Sequence, residues 1–512
     1  MNYIDVKNFR KYEQLFGDNG PAKIGHVNYV IKNTNESVAN LQNQINNISG
    51  GGSYAYIGDS NLTTNVDWSD ATIQEVNMMG DSTFTFSNGT PGTLYTLLLK
   101  QEQVGQKTIT WPIDVFWNGG TAPSLINVPN VIIDDTYAVG TGFGAYTYST
   151  FCLQADGKII VGGSFISYDT TLTNRITRLN SDGTVDNTFN PGVGANGDIE
   201  TVAIQTDGKI VIGGNFTSYD GNFVNFIARL NSDGSFDPTF NTAGGFDSRV
   251  KDIKIQNDGK VVCAGEFYTF DGNSSTSIVR INTDGSYDAT FVVGMGFNNR
   301  VDSIVIQSDG RIVCVGPFNN YDITIANGVA RLNSDGSIDA TFATNVGSGF
   351  TYGPEIVTLQ IDGKILCGGG FDSFDGVLIN RLVRLNLDGT LDNTFNTGTG
   401  FSDTVTAIGF DPIDGKIVVG GFFPFFNGTV VNRMVKLNSD GSLDTNFSVG
   451  AGFNIGIVNF VFQNDGKLVV GGYFTQFNGK SAPGIIRLLF TTPILSYNKF
   501  SFVYNGMYYI AS

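Results

Sequence analysis

The chain has 512 residues, 66 of them glycine, and a formal net charge of −17 at pH 7. That length calls for two or three folded units. The charge argues against nucleic acid and anionic membrane surfaces as partners, and it favours solubility and neutral or polar ligands such as glycans. A single histidine, His26, leaves no Ser-His-Asp or Cys-His catalysis and no His-rich metal site to one chain. Met1 to Lys7 leads into no apolar core, so no export leader is expected, and no run is long enough to span a bilayer.

Residues 1–22 carry Phe9, Tyr12, Leu15 and Phe16 ahead of a turn region from Gly17 to Pro21. They read as an attachment segment for a larger assembly or as a cap on the element that follows. Residues 23–49 hold an unbroken heptad, with Ile24, Ile31, Val38 and Ile45 at a and Val27, Thr34, Leu41 and Ile48 at d. Such a stripe is buried when helices pair, so an α-helical coiled-coil stalk is expected. β-Branched residues at a with mixed residues at d allow a dimer or a trimer, and isoleucine at both kinds of position leans toward three. Ser49-Gly50-Gly51-Gly52-Ser53 then reads as a flexible hinge.

In residues 54–130 the pattern turns to strands: Thr83-Phe84-Thr85-Phe86, Leu94 to Leu99 and Lys107 to Trp111, separated by Gly, Pro and Asn. A small antiparallel β-sandwich is expected there.

From residue 131 to 490 the sequence repeats. Asp-Gly-Lys/Arg recurs at Asp156, Asp207, Asp258, Asp309, Asp362, Asp414 and Asp465, in steps of 51, 51, 51, 53, 52 and 51 residues. In the second copy, Val202 to Gln205, Lys209 to Gly214, Phe226 to Asn231 and Ser235 to Phe240 read as four short strands joined by tight turns. One such sheet cannot bury both faces, so copies must stack, and four strands in about fifty residues make a β-propeller blade. The seventh copy lacks its fourth strand, whereas Asp134 to Phe143 aligns with Asp444 to Phe453 of the sixth. The expected fold is mostly β, a seven-bladed ring whose last blade borrows a strand from the N-terminal side, leaving no open edge. Residues 491–512 carry a hairpin signal around Asn505-Gly506, expected to dock on the disc or on a neighbouring chain.

Four recurrent positions carry residue types that bear on chemistry. Cys263, Cys314 and Cys367 share one repeat position with Val161, Ile212, Val419 and Val470, which reads as a small buried hydrophobe; no disulfide or CxxC pair is visible. The Asn-Ser-Asp-Gly-Ser turns, as at Asn333 to Asp339, lack the length and terminal glutamate of a calcium loop, and hairpin chemistry explains them. The recurrent arginines, Arg178 to Arg487, each precede a hairpin followed by an aspartate, so the two charges could meet across it, and Arg487 should then find Asp134 across the closure. Finally, an aromatic stands twelve residues after each turn aspartate, followed by Asp or Asn. Tyr168 with Asp169, Tyr219 with Asp220 and Asn222, Phe270 with Asp271 and Asn273, and Tyr321 with Asp322 are the candidate ligand-binding residues. Their recurrence equally fits packing between blades. The variable parts of the same loops, among them Ile323–Asn327, are the better ligand candidates. Carboxylates recur once per blade, whereas a catalytic site should break the repeat, so no enzyme activity, cofactor or metal is expected.

Two resemblances add to this reading. Asp-Gly-Lys, Gly-Gly-x-Phe and Leu-Asn-Ser-Asp-Gly-Ser resemble the delta-60 repeat family of β-propellers over about 350 residues. Val66 to Ser69, Tyr95 to Gln101, Thr110-Trp111-Pro112 and Phe116 to Pro123 resemble a module of bacteriophage tail and head fibres. That second likeness, with the stalk, implies a virion appendage assembled in the host cytoplasm. It would be a homotrimer joined through its N-terminus to other virion proteins, with propellers that bind a host surface glycan or protein. A decoration or adaptor without a receptor role, and a depolymerase of surface polysaccharide, are the alternatives.

Overall fold

The structure, a computed structural model, describes residues 131–143 and 149–490 in full. Elsewhere it describes the backbone of strands Tyr54–Asp67, Ile73–Ser87, Thr96–Lys100, Ile109–Thr110, Val115–Trp117, Phe500–Tyr504 and Met507–Ala511. The heptad positions Ile24, Val27, Ile31, Val38, Leu41, Ile45 and Ile48 lie outside the described residues. The chain divides into two compact units, Met1–Val128 with Pro493–Ser512, and Pro129–Thr492.

In the first unit, Ile73–Ser87 pairs in parallel with Tyr54–Asp67, with Thr96–Lys100 and with Ile109–Thr110. This corrects the expected antiparallel sandwich. Alternation identifies a strand but is silent on the direction of its partner. Tyr54–Asp67 has 14 residues, about 46 Å if straight, and the few residues before Ile73 reach only about 20 Å. A parallel pair with so short a link must bend, and register shifts between Tyr56 and Gly58 and between Ser60 and Leu62 mark irregular points in the ladder. Phe500–Tyr504 and Met507–Ala511 form the C-terminal hairpin. Within the same unit, Phe502 faces Trp117 and Val503 faces Phe116 in a third antiparallel strand.

Among its described residues the second unit holds seven antiparallel sheets of three or four strands in sequence order, each accompanied by a two-stranded hairpin. In the second blade, Asp198–Ile204 pairs with Ile210–Asn215, which pairs with Ile227–Leu230. The first strand of each blade packs beside the first strands of the two neighbouring blades, and Ile457–Phe462 of the seventh lies against Ser149–Leu153 of the first, so the series closes into a ring. The middle strands are buried from end to end, as Ile159–Gly163 and Val261–Gly265 show, because a blade covers each face. Cores form between blades: Val262, Ala264 and Ile278 of the third meet Ile304, Ile312 and Cys314 of the fourth. Gly213 shows how close the approach is, since a Cβ there would come within 2.7 Å of Val250 Cγ1 in the next blade.

The fourth strand is smaller than expected. In six blades it is one bridge, as at Leu230↔Phe236, followed by a turn in which Phe240 N donates to Asp237 O. Asp237 itself bonds its side chain back to Thr239 N and Oγ1, which bends the chain out of the ladder. Only the seventh sheet has four strands. There Val131–Ile133 adds to Ile485–Phe490, with Leu488 opposite Ile133 and Phe490 opposite Val131. Among the described residues the single α-helix is Ala340–Asn345, capped by Asp339, which absorbs the longer step into the fifth copy.

Candidate ligand site at the axial mouth

Each blade is built around one charged cluster. In the second, Asp237 Oδ2 accepts from Arg229 Nε at 2.7 Å and Lys209 Nζ at 2.8 Å. Burial opposes ionisation, yet bonds from Lys209, Thr239 and Arg229 outweigh it and hold the Asp237 carboxyl well below the usual range. The guanidinium lies over Phe240, 4.7 Å from the ring centre. Its Nη1 reaches into the next blade to the Thr283 carbonyl. Arg178, Arg280, Arg331 and Arg384 make the equivalent bond to Ser232, Ser334, Leu387 and Ser439. At the closure, Arg487 Nη2 lies 2.7 Å from Asp134 Oδ2, its Nη1 donates to the Ser181 carbonyl of the first blade, and Tyr137 supplies the ring beneath it.

The four candidate aromatics are occupied elsewhere. Tyr168, Tyr219, Phe270 and Tyr321 are buried, at 0–2% exposure, and each tyrosine hydroxyl donates to a turn carbonyl, as Tyr219 does to Gly234 at 2.7 Å. They pack against the Gly-x-Gly-Phe connections, with Phe297 4.6 Å from Tyr321 between ring centres. No ligand could stack on them in this conformation, which corrects that part of the sequence reading. The neighbouring Asp169, Asp220, Asp271 and Asp322 accept from Thr141, Val193, Gly244 and Met295 backbone N–H groups and so pin those connections. Asn222 and Asn273 donate to carbonyls of their own hairpins.

The place where the repeat breaks is the mouth of the ring on the face that carries these connections, at the start of the innermost strands. In five blades a register shift there, such as Ile199/Thr201 and Pro354/Ile356, leaves one residue out of the ladder. Those residues are Glu200, Lys251, Glu355, Thr406 and Val458. Bulges re-aim side chains, and around them charges interlock across blades. Lys251 Nζ lies 2.9 Å from Asp302 Oδ1, and Arg300 Nε 2.9 Å from the same oxygen. Arg249 Nη2 lies 2.6 Å from Glu266 and Nη1 3.5 Å from Glu200. Burial pushes the Glu200 carboxyl up against the pull of Lys251 and Arg249. Glu355 is also pushed up, by burial first and then by Asp302, although its side chain is open to solvent; the surrounding walls outweigh that opening.

Between the fourth and fifth blades the mouth deepens into a cavity of about 430 Å³, lined by Arg300, Asp302, Asn319, Asn327, Thr351, Tyr352 and Glu355 over a floor of Phe318 and Phe350. Tyr352 is 68% exposed. Among the described residues the Arg300 side chain bonds protein only through Nε, so its Nη groups are available as donors. Asn327 comes from a loop that the sequence singled out; Arg300, Asp302, Tyr352 and Glu355 were missed. The signal for them was present, since the step of 53 residues into the fifth copy departs from the period. No group of metal-ligating residues is found among the described residues, and none of their helices is long and apolar enough to cross a membrane.

A ring of repeated blades, joined at six of its seven junctions by an arginine that reaches into the next blade, defines a β-propeller. Seven segments of it, 154–189, 205–240, 256–291, 307–342, 360–395, 414–447 and 463–489, match DUF5122, described as a domain of unknown function that forms a β-propeller. No curated protein matches the chain. Among solved structures, it is similar to the WD40 β-propeller domain of Doa1, at 14% identity and a TM-score of 0.40 over 75% of this chain and 97% of that one. It is also similar to the extracellular domain of BT4673 from B. thetaiotaomicron, at 15% identity and a TM-score of 0.41, covering 69% of this chain and 39% of that chain.

Proposed function

We propose that the propeller is a non-enzymatic recognition module that takes a neutral saccharide unit in the cavity between its fourth and fifth blades. The observation that carries this is the departure from sevenfold repetition at Arg300, Tyr352 and Glu355. A purely structural ring has no need of an exposed tyrosine beside open guanidinium donors and an open carboxylate. Those three groups offer what a sugar needs, a face to stack on and donors and acceptors for its hydroxyls. The cavity volume also falls in the range of small-ligand sites. A hydrolase would need two carboxylates free to act on one bond, whereas near Glu355 Asp302 is engaged by Lys251 and Arg300 and Asp403 accepts from Thr404 N.

The resemblance of residues 66–123 to phage fibre modules and the heptad of residues 24–48 extend the proposal to the whole chain. It is a virion appendage, a tail or head fibre or spike, carried as a trimer and displaying its propellers to a host surface. A decoration or adaptor without receptor role is the second reading. Glycan-array binding by the full chain tests the first. Wild type binds without releasing product, and Tyr352→Ala or Glu355→Gln weakens binding on the order of tenfold. Absence of binding to every glycan favours the second reading, and release of cleaved product favours a depolymerase. Sedimentation of the full chain at the mass of one or two copies would refute the trimer.

A further inference from the structure

We propose that Phe422 and Tyr473 form a second stacking subsite on the same rim, so that the propeller takes an oligosaccharide laid over the mouth and not a single sugar. This rests on the preceding reading of the cavity.

One repeat position, the residue before the phenylalanine of Gly-Gly-x-Phe, is occupied by Ser164, Asn215, Glu266, Pro317, Gly370, Phe422 and Tyr473 around the ring. Its backbone geometry is shared: Glu266 N donates to Arg249 O at 3.0 Å, Phe422 N to Thr404 O at 2.9 Å and Tyr473 N to Gly456 O at 3.0 Å. Glu266 from this position meets Arg249 and Arg300 at the mouth, so Phe422 and Tyr473 belong to the same rim. Their rings are half-buried and 6.0 Å apart, tilted by 48°. Gly456 gives the Phe422 ring its room, since a Cβ there would stand 2.4 Å from the ring carbons. The hydroxyl of Tyr473 makes no hydrogen bond among the described residues.

The rim is therefore divided. Blades two to five bring most of the charges; blades six and seven bring two rings with Thr404, Thr406, Gly456 and Val458, and a single exposed carboxylate, Asp403. A chain of pyranose units matches both halves, with C–H faces for the rings and hydroxyls for Arg300 and Glu355. A peptide with apolar side chains would use the rings alone and leave the open carboxylate and guanidinium without partners, which is costly once they are covered.

The test uses the full chain and an array of neutral hexose oligosaccharides, each printed at lengths of one to six units. Affinity is expected to rise with length. Phe422→Leu and Tyr473→Leu keep apolar bulk against unfolding and remove the stacking faces. They should lower binding of the longer chains on the order of tenfold and leave the shortest unchanged. Wild-type affinity independent of length, or an equal loss at every length, overturns the subsite and leaves the cavity reading standing. No binding at any length by wild type overturns the cavity reading itself, and a lost near-ultraviolet signature in both leucine variants is resolved by Phe422→Tyr, which must then bind as wild type.

Discussion

Lys436 turns away from Asp444 and takes Asp411 instead, at 2.6 Å. It occupies the place of the blade-joining arginine in the sixth blade, and Asp444 is left with Lys416 at 2.8 Å. The reason lies one blade further on. The arginine's usual acceptor is a turn carbonyl of the next blade, and the seventh blade has no such turn because its fourth strand arrives from residues 131–133. The extra residue in the turn Asp411-Pro412-Ile413-Asp414 brings two carboxylates within reach, Asp414 at 2.7 Å, and the Phe490 ring lies 5.5 Å from the ammonium.

Lys436→Ala should therefore be costly. It would leave Asp411, which is 2% exposed, without its cation, a loss of about 3–5 kcal/mol for a buried pair broken on one side. Urea melts of the full chain check this, and an unchanged midpoint would show that Asp411 is satisfied without the lysine.

Asp134→Ala and Asp237→Ala should destabilise the propeller alike, each by about 3–5 kcal/mol. Each loses an arginine and a threonine, Arg487 and Thr136 in one and Arg229 and Thr239 in the other, and the lysine is nearer in the second, Lys209 at 2.8 Å against Lys467 at 3.7 Å. Thermal melts distinguish a closure that works like any other blade from one that is weaker, in which only Asp237→Ala lowers the midpoint.

Acid should act in two opposite directions. The folded carboxyls of Asp186, Asp237, Asp288 and Asp392 are held below the ordinary range. Their contribution is present above the unfolded value near pH 4 and is lost as pH falls below it toward the folded values. Glu200 and Glu355 are shifted upward, so protonation relieves a penalty that exists at neutral pH. Stability measured by calorimetry should hold or rise slightly from pH 7 to about pH 5 and fall steeply only below about pH 4. A fall that begins at pH 6 would contradict this ordering.

Gly213→Ala and Gly221→Ala separate crowding from backbone strain. The first Cβ would press on Val250, Ile253 and Thr201, all within 3.0 Å, at a cost of about 1–3 kcal/mol. The second meets nothing within 4 Å but sits at φ +76°, a conformation costing about 1 kcal/mol. Equal melting shifts for the two would argue against close blade packing at Gly213.

Sevenfold repetition made much of the propeller legible in advance. A strand, turn or charge that recurs at one spacing shows itself against its own copies, and Asp134 could be set beside Asp444 for that reason. The same repetition misled at Tyr168, Tyr219, Phe270 and Tyr321. Aromatic and carboxylate side by side in a sequence carry no mark of which one is covered, and here the blade buries the ring and uses the acid to pin a loop. Arg300, Tyr352, Glu355, Phe422 and Tyr473 were harder to see because none recurs around the ring, Arg300 sharing its slot only with Arg249 and Glu355 only with Glu200, and each gains meaning only when the ring brings distant slots to one rim. Parallel pairing at Tyr54–Asp67 was out of reach because direction is settled by the partner strand.

Ring closure by Val131–Ile133 also sets an order of events during synthesis. Asp134 and Arg487 are separated by 353 positions, so the earliest strand of the disc emerges from the ribosome long before its mate exists. Until then the nascent polypeptide carries two raw sheet margins, a template for pairing with sister chains on the same message. Rapid release and dilution, or a chaperone that shields those margins, would govern how much protein reaches the finished circle.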